Sequence, residues 1–174
     1  MIKKFVILTL ITLLSSFNAL AASGINLFAY SREAPEVAVY DSEGRAVKLT
    51  DFVGDFVIAV FWSKTCIPCL REMRDLDSFV KKTKDNGIKV MLISSAKEWQ
   101  RPSEQEEILR KYGGEHIDHY IDKGSSLANA FGIFTSPHSV LINTQGMEIG
   151  RIRGAVDWDD NDVIDYMYKL RAAN

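Results

Sequence analysis

The spacing of apolar positions along the chain changes period several times, and each change marks an element. Residues 56–62, Phe-Val-Ile-Ala-Val-Phe-Trp, are almost unbroken apolar and β-branched, the pattern of a central strand covered on both faces. From Cys66 to about Asp85 the period lengthens. Leu70, Met73, Leu76, Phe79 and Val80 recur at intervals of three and four, the single stripe of an amphipathic helix, and Asn86-Gly87 supplies its C-terminal stop. Ile88 to Ile93 is a second apolar strand. A helix follows from Arg101 to Tyr112, with Ser103 and Glu106 spaced as a capping box and Gly113-Gly114 as its end. His119-Tyr120-Ile121 reads as a short strand and Ser125 to Phe131 as a short helix closed by Gly132. Ser139–Ile142 and Met147–Arg153, joined through Asn143-Thr144-Gln145-Gly146, form a hairpin, and Trp158-Asp159-Asp160 leads into a last helix ending near Arg171.

Ahead of the central strand, Val37–Tyr40 and Ala46–Leu49 flank the turn cluster Asp41-Ser42-Glu43-Gly44, which predicts a hairpin. Ser23 to Pro35 reads as a flexible lead-in. The first residues differ in kind. Met1-Ile2-Lys3-Lys4 is a charged start, Phe5 to Leu14 is apolar, and Ala19-Leu20-Ala21 fits a small-residue cleavage site. This is the layout of a secretory leader, with cleavage expected after Ala21 or, second, after Ala22. An uncleaved anchor is the alternative, although the apolar stretch is short for a span of about 20 residues. In both cases Lys3 and Lys4 stay on the cytoplasmic side and the folded part is exported, which points to the bacterial periplasm. The expected organisation is therefore a signal peptide over 1–21, a lead-in over 22–34 and one domain over 35–174. Strands alternating with helices predict an α/β sandwich, a central mixed sheet flanked by helices with an N-terminal β-hairpin extension.

Composition narrows the partners. The 174 residues carry a formal net charge of −2, with no basic stripe, so nucleic acid is not an expected partner. A mature chain of about 150 residues suits one core, and a monomer is expected. The chemistry lies in its two cysteines, Cys66 and Cys69, separated by Ile67-Pro68 and placed where the central strand gives way to a helix. A helix N-terminus carries partial positive charge and unpaired N–H groups, so a thiolate there is stabilised below the ordinary cysteine pKa of about 8.5. Strand, Cys-x-x-Cys, helix is the layout of a thioredoxin-like redox site. A structural zinc site would need four ligands, and His116, His119 and His138 lack the spacing to complete one. A purely structural disulfide across so short a loop would restrict little chain entropy.

The stretch from Phe61 to Glu72, Phe-Trp-Ser-Lys-Thr-Cys-Ile-Pro-Cys-Leu-Arg-Glu, resembles the active-site segment of the TlpA/ResA-like periplasmic thiol–disulfide oxidoreductases. Ala34-Pro35 through Gly54 resembles that family's N-terminal hairpin. Phe131-Gly132-Ile133-Phe134-Thr135-Ser136-Pro137, with Val140–Asn143 and Gly146, resembles its cis-proline segment and hairpin. The likeness runs from about Pro35 to the C-terminus. It implies a thioredoxin-like fold in which Cys66 attacks, Cys69 resolves the mixed disulfide, and a Cys66–Cys69 disulfide forms. Pro137 should be cis beside that pair, with the Ser136 backbone pairing with an extended client. Trp62, Pro68, Ser136 and His138 make up the expected client-side set, and Glu72 is the expected proton-handling acid. No metal or organic cofactor is implied. The implied partners are exported protein clients, apocytochrome c among them, and a membrane electron donor of the DsbD type.

The chain also departs from its relatives. Val60 stands where cytoplasmic thioredoxins carry a buried aspartate, which shifts proton handling to Glu72. Thr65 replaces the tryptophan most relatives have before the first cysteine. His138 follows Pro137 where a small hydroxyl residue is common; a protonated imidazole near Cys66 would favour thiolate, and a solvated loop histidine is the other reading. Lys64 reads as a solvated charge, and Trp99, Met73 and Met91 as packing. The reductive direction follows from the resemblance alone. An oxidase or isomerase with the same dithiol, a thiol peroxidase, and a metal-delivery module stay open.

Overall fold

A computed structural model describes residues 24–101 and 103–174; the expected signal peptide lies outside them. Among the described residues no helix is long and apolar enough to cross a membrane. The strands are β1 (Ile25–Glu33), β2 (Val39–Tyr40), β3 (Ala46–Val47), β4 (Phe56–Phe61), β5 (Ile88–Ser95), β6 (His119–Asp122), β7 (His138–Ile142) and β8 (Met147–Arg153). The α-helices are α1 (Ile67–Thr83), α2 (Ser103–Tyr112), α3 (Ser126–Phe131) and α4 (Asn161–Ala173). One mixed sheet joins all eight strands in the order β1-β8-β7-β4-β5-β6-β2-β3. Strand β4 runs parallel to β5 and antiparallel to β7.

The continuous apolar run of β4 has its expected consequence: all six residues are buried, because both faces of the strand are covered. Ile58, Val60 and Leu92 face a core built with Met73, Leu76 and Phe79 of α1, Leu109 of α2, and Trp158, Ile164 and Met167 at α4. Val57, Ala59, Phe61 and Ile93 face the other core, with Leu127 and Phe131 of α3 and Leu49 from the turn before β4. The buried side of α1 is rotated slightly from the expected stripe. Cys69, Glu72, Met73, Leu76 and Phe79 are buried, whereas Leu70 and Val80 only border the core. Gly87 ends the turn after α1 in the left-handed region, φ 68°, as the Asn-Gly pair predicts.

Two expectations are corrected. The lead-in contains β1, which pairs antiparallel with β8 from Ile25↔Ile152 to Glu33↔Met147. It is an edge strand with a shifted register between Leu27 and Arg32 and mostly exposed side chains, so it lacks the clean alternation that identifies a strand. The capping box at α2 is replaced by other contacts. Ser103 is the helix's first residue, and its hydroxyl accepts from Arg101 and donates to Glu107 Oε1. The hairpin β2–β3 sits where it was expected in sequence and closes the far edge of the sheet beside β6.

Candidate active site

Strand β4 delivers the chain to the site and α1 fixes it there. Trp62 N–H donates to the Ile93 carbonyl at 3.0 Å, extending the sheet one residue past β4. The chain then turns through Ser63-Lys64-Thr65, closed by a bond from Cys66 N–H to the Ser63 carbonyl at 3.1 Å. Cys66 is the N-cap of α1, with extended backbone angles (φ −82°, ψ 99°), and Pro68 lies in the first turn, where a missing N–H costs no hydrogen bond. The two cysteines form a disulfide with Cα atoms 5.3 Å apart. Cys66 Sγ accepts from the Cys69 N–H at 3.3 Å. The pair is asymmetric: Cys69 is fully buried, while Cys66 is half-buried and Thr65, Ile67 and Pro68 around it are exposed.

The second wall comes from β7. Its first residue, His138, is paired with Phe61, the last residue of β4. Because these strands are antiparallel, both chains leave the sheet at the same point. The loop Ile133–Pro137 therefore lies beside the turn that carries Cys66. The Ser136–Pro137 bond is cis. Pro137 is buried, and its carbonyl accepts from Gly154 N–H at 3.0 Å. Between the two loops opens a groove of about 290 Å³ lined by Trp62, Ser63, Thr135 and Ser136 among others.

Glu72 lies on the buried face of α1, one turn beyond Cys69. Its carboxylate Oε2 accepts from the Val156 N–H at 2.8 Å. Burial pushes its pKa up to about 7, against the opposing pull of the Val156 N–H and the nearby Trp158 indole. The Trp158 N–H itself completes no hydrogen bond among the described residues. An acid poised there can hold or release a proton at neutral pH. Val60 is fully buried on this same side of the sheet.

His138 is neither of the two things expected of it. It is buried in β7, on the face it shares with Phe61 and Val140 and opposite α1. Its pKa is lowered by burial first and then by Arg151 and Arg153, so the ring is neutral near pH 7. Neither ring nitrogen has a hydrogen-bond partner among the described residues. Trp62 is also buried and tilts against Trp99 at 5.6 Å between ring centroids; it supports the site from below. Pro68 and Ser136 remain accessible at the surface of the site.

Lys64 is not a free surface charge. Its Nζ pairs with Glu104 Oε1 at 2.7 Å and lies 5.3 Å from the centre of the Trp99 ring. Its backbone N–H donates to Glu98 Oε2 at 2.7 Å. Trp99 in turn donates to Ser94 Oγ at 2.9 Å. This bracing of the Cys66 turn joins residues more than thirty positions apart, so no local pattern announces it. Phe134, within the motif that suggested the proline loop, is 83% exposed, a property its sequence context does not encode.

The AhpC/TSA family pattern matches residues 30–166. The thiol-disulfide oxidoreductase ResA of Bacillus thuringiensis is 29% identical over 126 residues, covering 71% of this chain and 69% of that protein. ResA of Bacillus subtilis is 23% identical over 155 residues, covering 89% and 83%. The thioredoxin domain of a thiol-disulfide oxidoreductase from Bacteroides vulgatus superposes with a TM-score of 0.67 at 21% identity, covering 83% of this chain and 99% of that one; this likeness is one of fold.

Proposed function

Because the chain belongs to the AhpC/TSA family and is a thioredoxin-like thiol–disulfide oxidoreductase of the TlpA/ResA type, we propose that it acts in the bacterial periplasm as a reductant of selected exported proteins. The observation that carries this reading is the asymmetric pair: Cys66 is half-buried at a helix N-cap beside an open groove, and Cys69 is sealed behind it. In the reduced protein the Cys66 thiolate attacks one sulfur of a client disulfide. The S–S bond breaks, a mixed disulfide forms, and the first client sulfur leaves as a thiolate and takes up a proton. Cys69 then loses its proton and attacks Cys66 Sγ. The second client thiol departs and the Cys66–Cys69 disulfide closes. Two electrons and two protons pass from the protein dithiol to the client disulfide.

Glu72 is the group in this reading that receives the Cys69 proton, supported by its place one turn along α1 and its pKa near 7. The Ser136 backbone beside cis-Pro137 offers an extended client a pairing edge. Recharging needs a dithiol donor, a role for a membrane protein of the DsbD type, and apocytochrome c is the client class the family likeness suggests. The leader pattern over 1–21 supports export. Equilibration with glutathione tests the direction: a reduction potential toward about −270 mV supports a reductant, and one near about −120 mV makes the protein an oxidase. Cys69→Ser should accumulate mixed disulfides with periplasmic clients through Cys66. Trapping through Cys69 in a Cys66→Ser variant instead would reverse the assignment.

A further inference from the structure

The groove beside the dithiol has a chemical character that the exchange reaction does not require. It opens at the C-terminal ends of the parallel strands β4, β5 and β6, the usual position of a binding crevice in an open α/β sheet. Its walls are rich in hydroxyl and amide groups, Ser63, Ser94, Asn129 and Thr135 among them, and Phe134 stands at its rim. Among the described residues no lysine or arginine lines it, whereas two carboxylates do, Glu98 and Asp122.

The two carboxylates differ. Asp122 is buried, and its oxygens are both engaged by backbone N–H groups at the start of α3, Leu127 at 3.1 Å and Ala128 at 2.9 Å. Glu98 is half-buried at the groove wall, and one of its oxygens accepts the Lys64 N–H. The ammonium of Lys64 is committed to Glu104. Among the described residues no lysine or arginine pairs with Glu98, so its charge is left open beside the turn that carries Cys66. Across the disulfide, Ile67 is 60% exposed and Phe134 is 83% exposed. Ile67 opens α1 directly after Cys66 and Phe134 lies in the loop before Pro137, so each of the two segments that meet at the site presents an apolar surface.

Building on the reading of the site as a client reductase, we propose that this groove selects extended client segments in which a lysine or arginine lies within a few residues of the reacting cysteine. The cationic side chain enters beside Glu98 and an apolar neighbour rests on Phe134. The long stem of a lysine or arginine suits such a place, since its methylenes can cross the apolar rim while its head reaches the carboxylate. A client with an acidic residue there would set like charges against each other in a partly desolvated groove.

The test uses the reduced protein and three disulfide-linked peptides that differ only in the residue two positions from the cysteine: lysine, glutamine or glutamate. Wild type is expected to reduce the lysine peptide with a kcat/KM about fivefold above that of the glutamate peptide at low ionic strength, the size of a partly exposed ion pair. Added salt should shrink that ratio. Glu98→Gln keeps an acceptor for the Lys64 N–H and should bring the ratio below about twofold, and Glu98→Lys should invert it. Phe134→Ala should lower kcat/KM for all three peptides about threefold, chiefly through KM. An unchanged lysine-to-glutamate ratio in both Glu98 variants overturns the proposal, as does equal reduction of all three peptides by wild type. Failure to reduce any of them would instead strike the reductase reading itself.

Discussion

At the scale of single residues, Glu72 carries the most chemical information. Its carboxyl titrates near 4.5 when exposed and near 7 in the folded chain, chiefly because it is buried. The folded protein therefore holds this proton more tightly than the unfolded one. That contribution to stability is complete below about pH 4.5 and is lost as pH rises through about 7, roughly 3 kcal/mol in all. The urea midpoint of the oxidised protein should fall between pH 5 and pH 8, and Glu72→Gln should remove most of that slope. The same substitution should lower the pKa of the more acidic thiol in the reduced protein, read as thiolate absorbance at 240 nm; coincident titration curves would separate Glu72 from the dithiol. The position of Glu72, three residues after Cys69, is legible in the sequence. Its burial is not, because the cover comes from Val156 and Trp158, more than eighty residues later. His138 departs from its expected place for a related reason. The preceding proline suggests a loop, but pairing with Phe61 places the imidazole inside the sheet.

At the scale of elements, the parts with strong periodicity were legible: the covered strand β4, the amphipathic helix α1 and the β7–β8 hairpin. Strand β1 was not, since an edge strand exposes one long side and its shifted register breaks the two-residue alternation. Strand β1 pairs with β8 and its backbone passes close to that of Gly150. A Cβ on Gly150 would meet the Asn26 carbonyl oxygen at 2.8 Å and the Leu27 Cα at 3.1 Å. Gly150→Ala should push β1 off β8 at a cost of about 1–3 kcal/mol. Amide exchange should accelerate in Ile25–Leu27 and stay slow in β4 and β5, with the reduction potential unchanged. Protection of β1 equal to wild type would show that the edge yields without detaching.

For the whole molecule, the class of fold and the location of the redox pair could be read from the chain, because both rest on local pattern. The strand order could not, and that order decides which distant segments meet at the site. It also decides where the described residues begin and end. Gly24 accepts a hydrogen bond from Arg153, and Arg153 lies level with His138 and, through it, with Phe61. The described chain therefore begins at the reactive end of the sheet, three strands or about 14 Å across from β4. Asn174 ends at the opposite pole, where its carbonyl accepts from Thr144 in the β7–β8 turn. A bulky partner fused after Asn174 should leave the rate of client reduction unchanged. The same partner joined directly before Gly24 should slow it, with large clients affected more than small disulfides. By the same geometry, a leader retained in the bilayer would tether the protein by its working end, so that the dithiol faces the membrane surface instead of the open compartment.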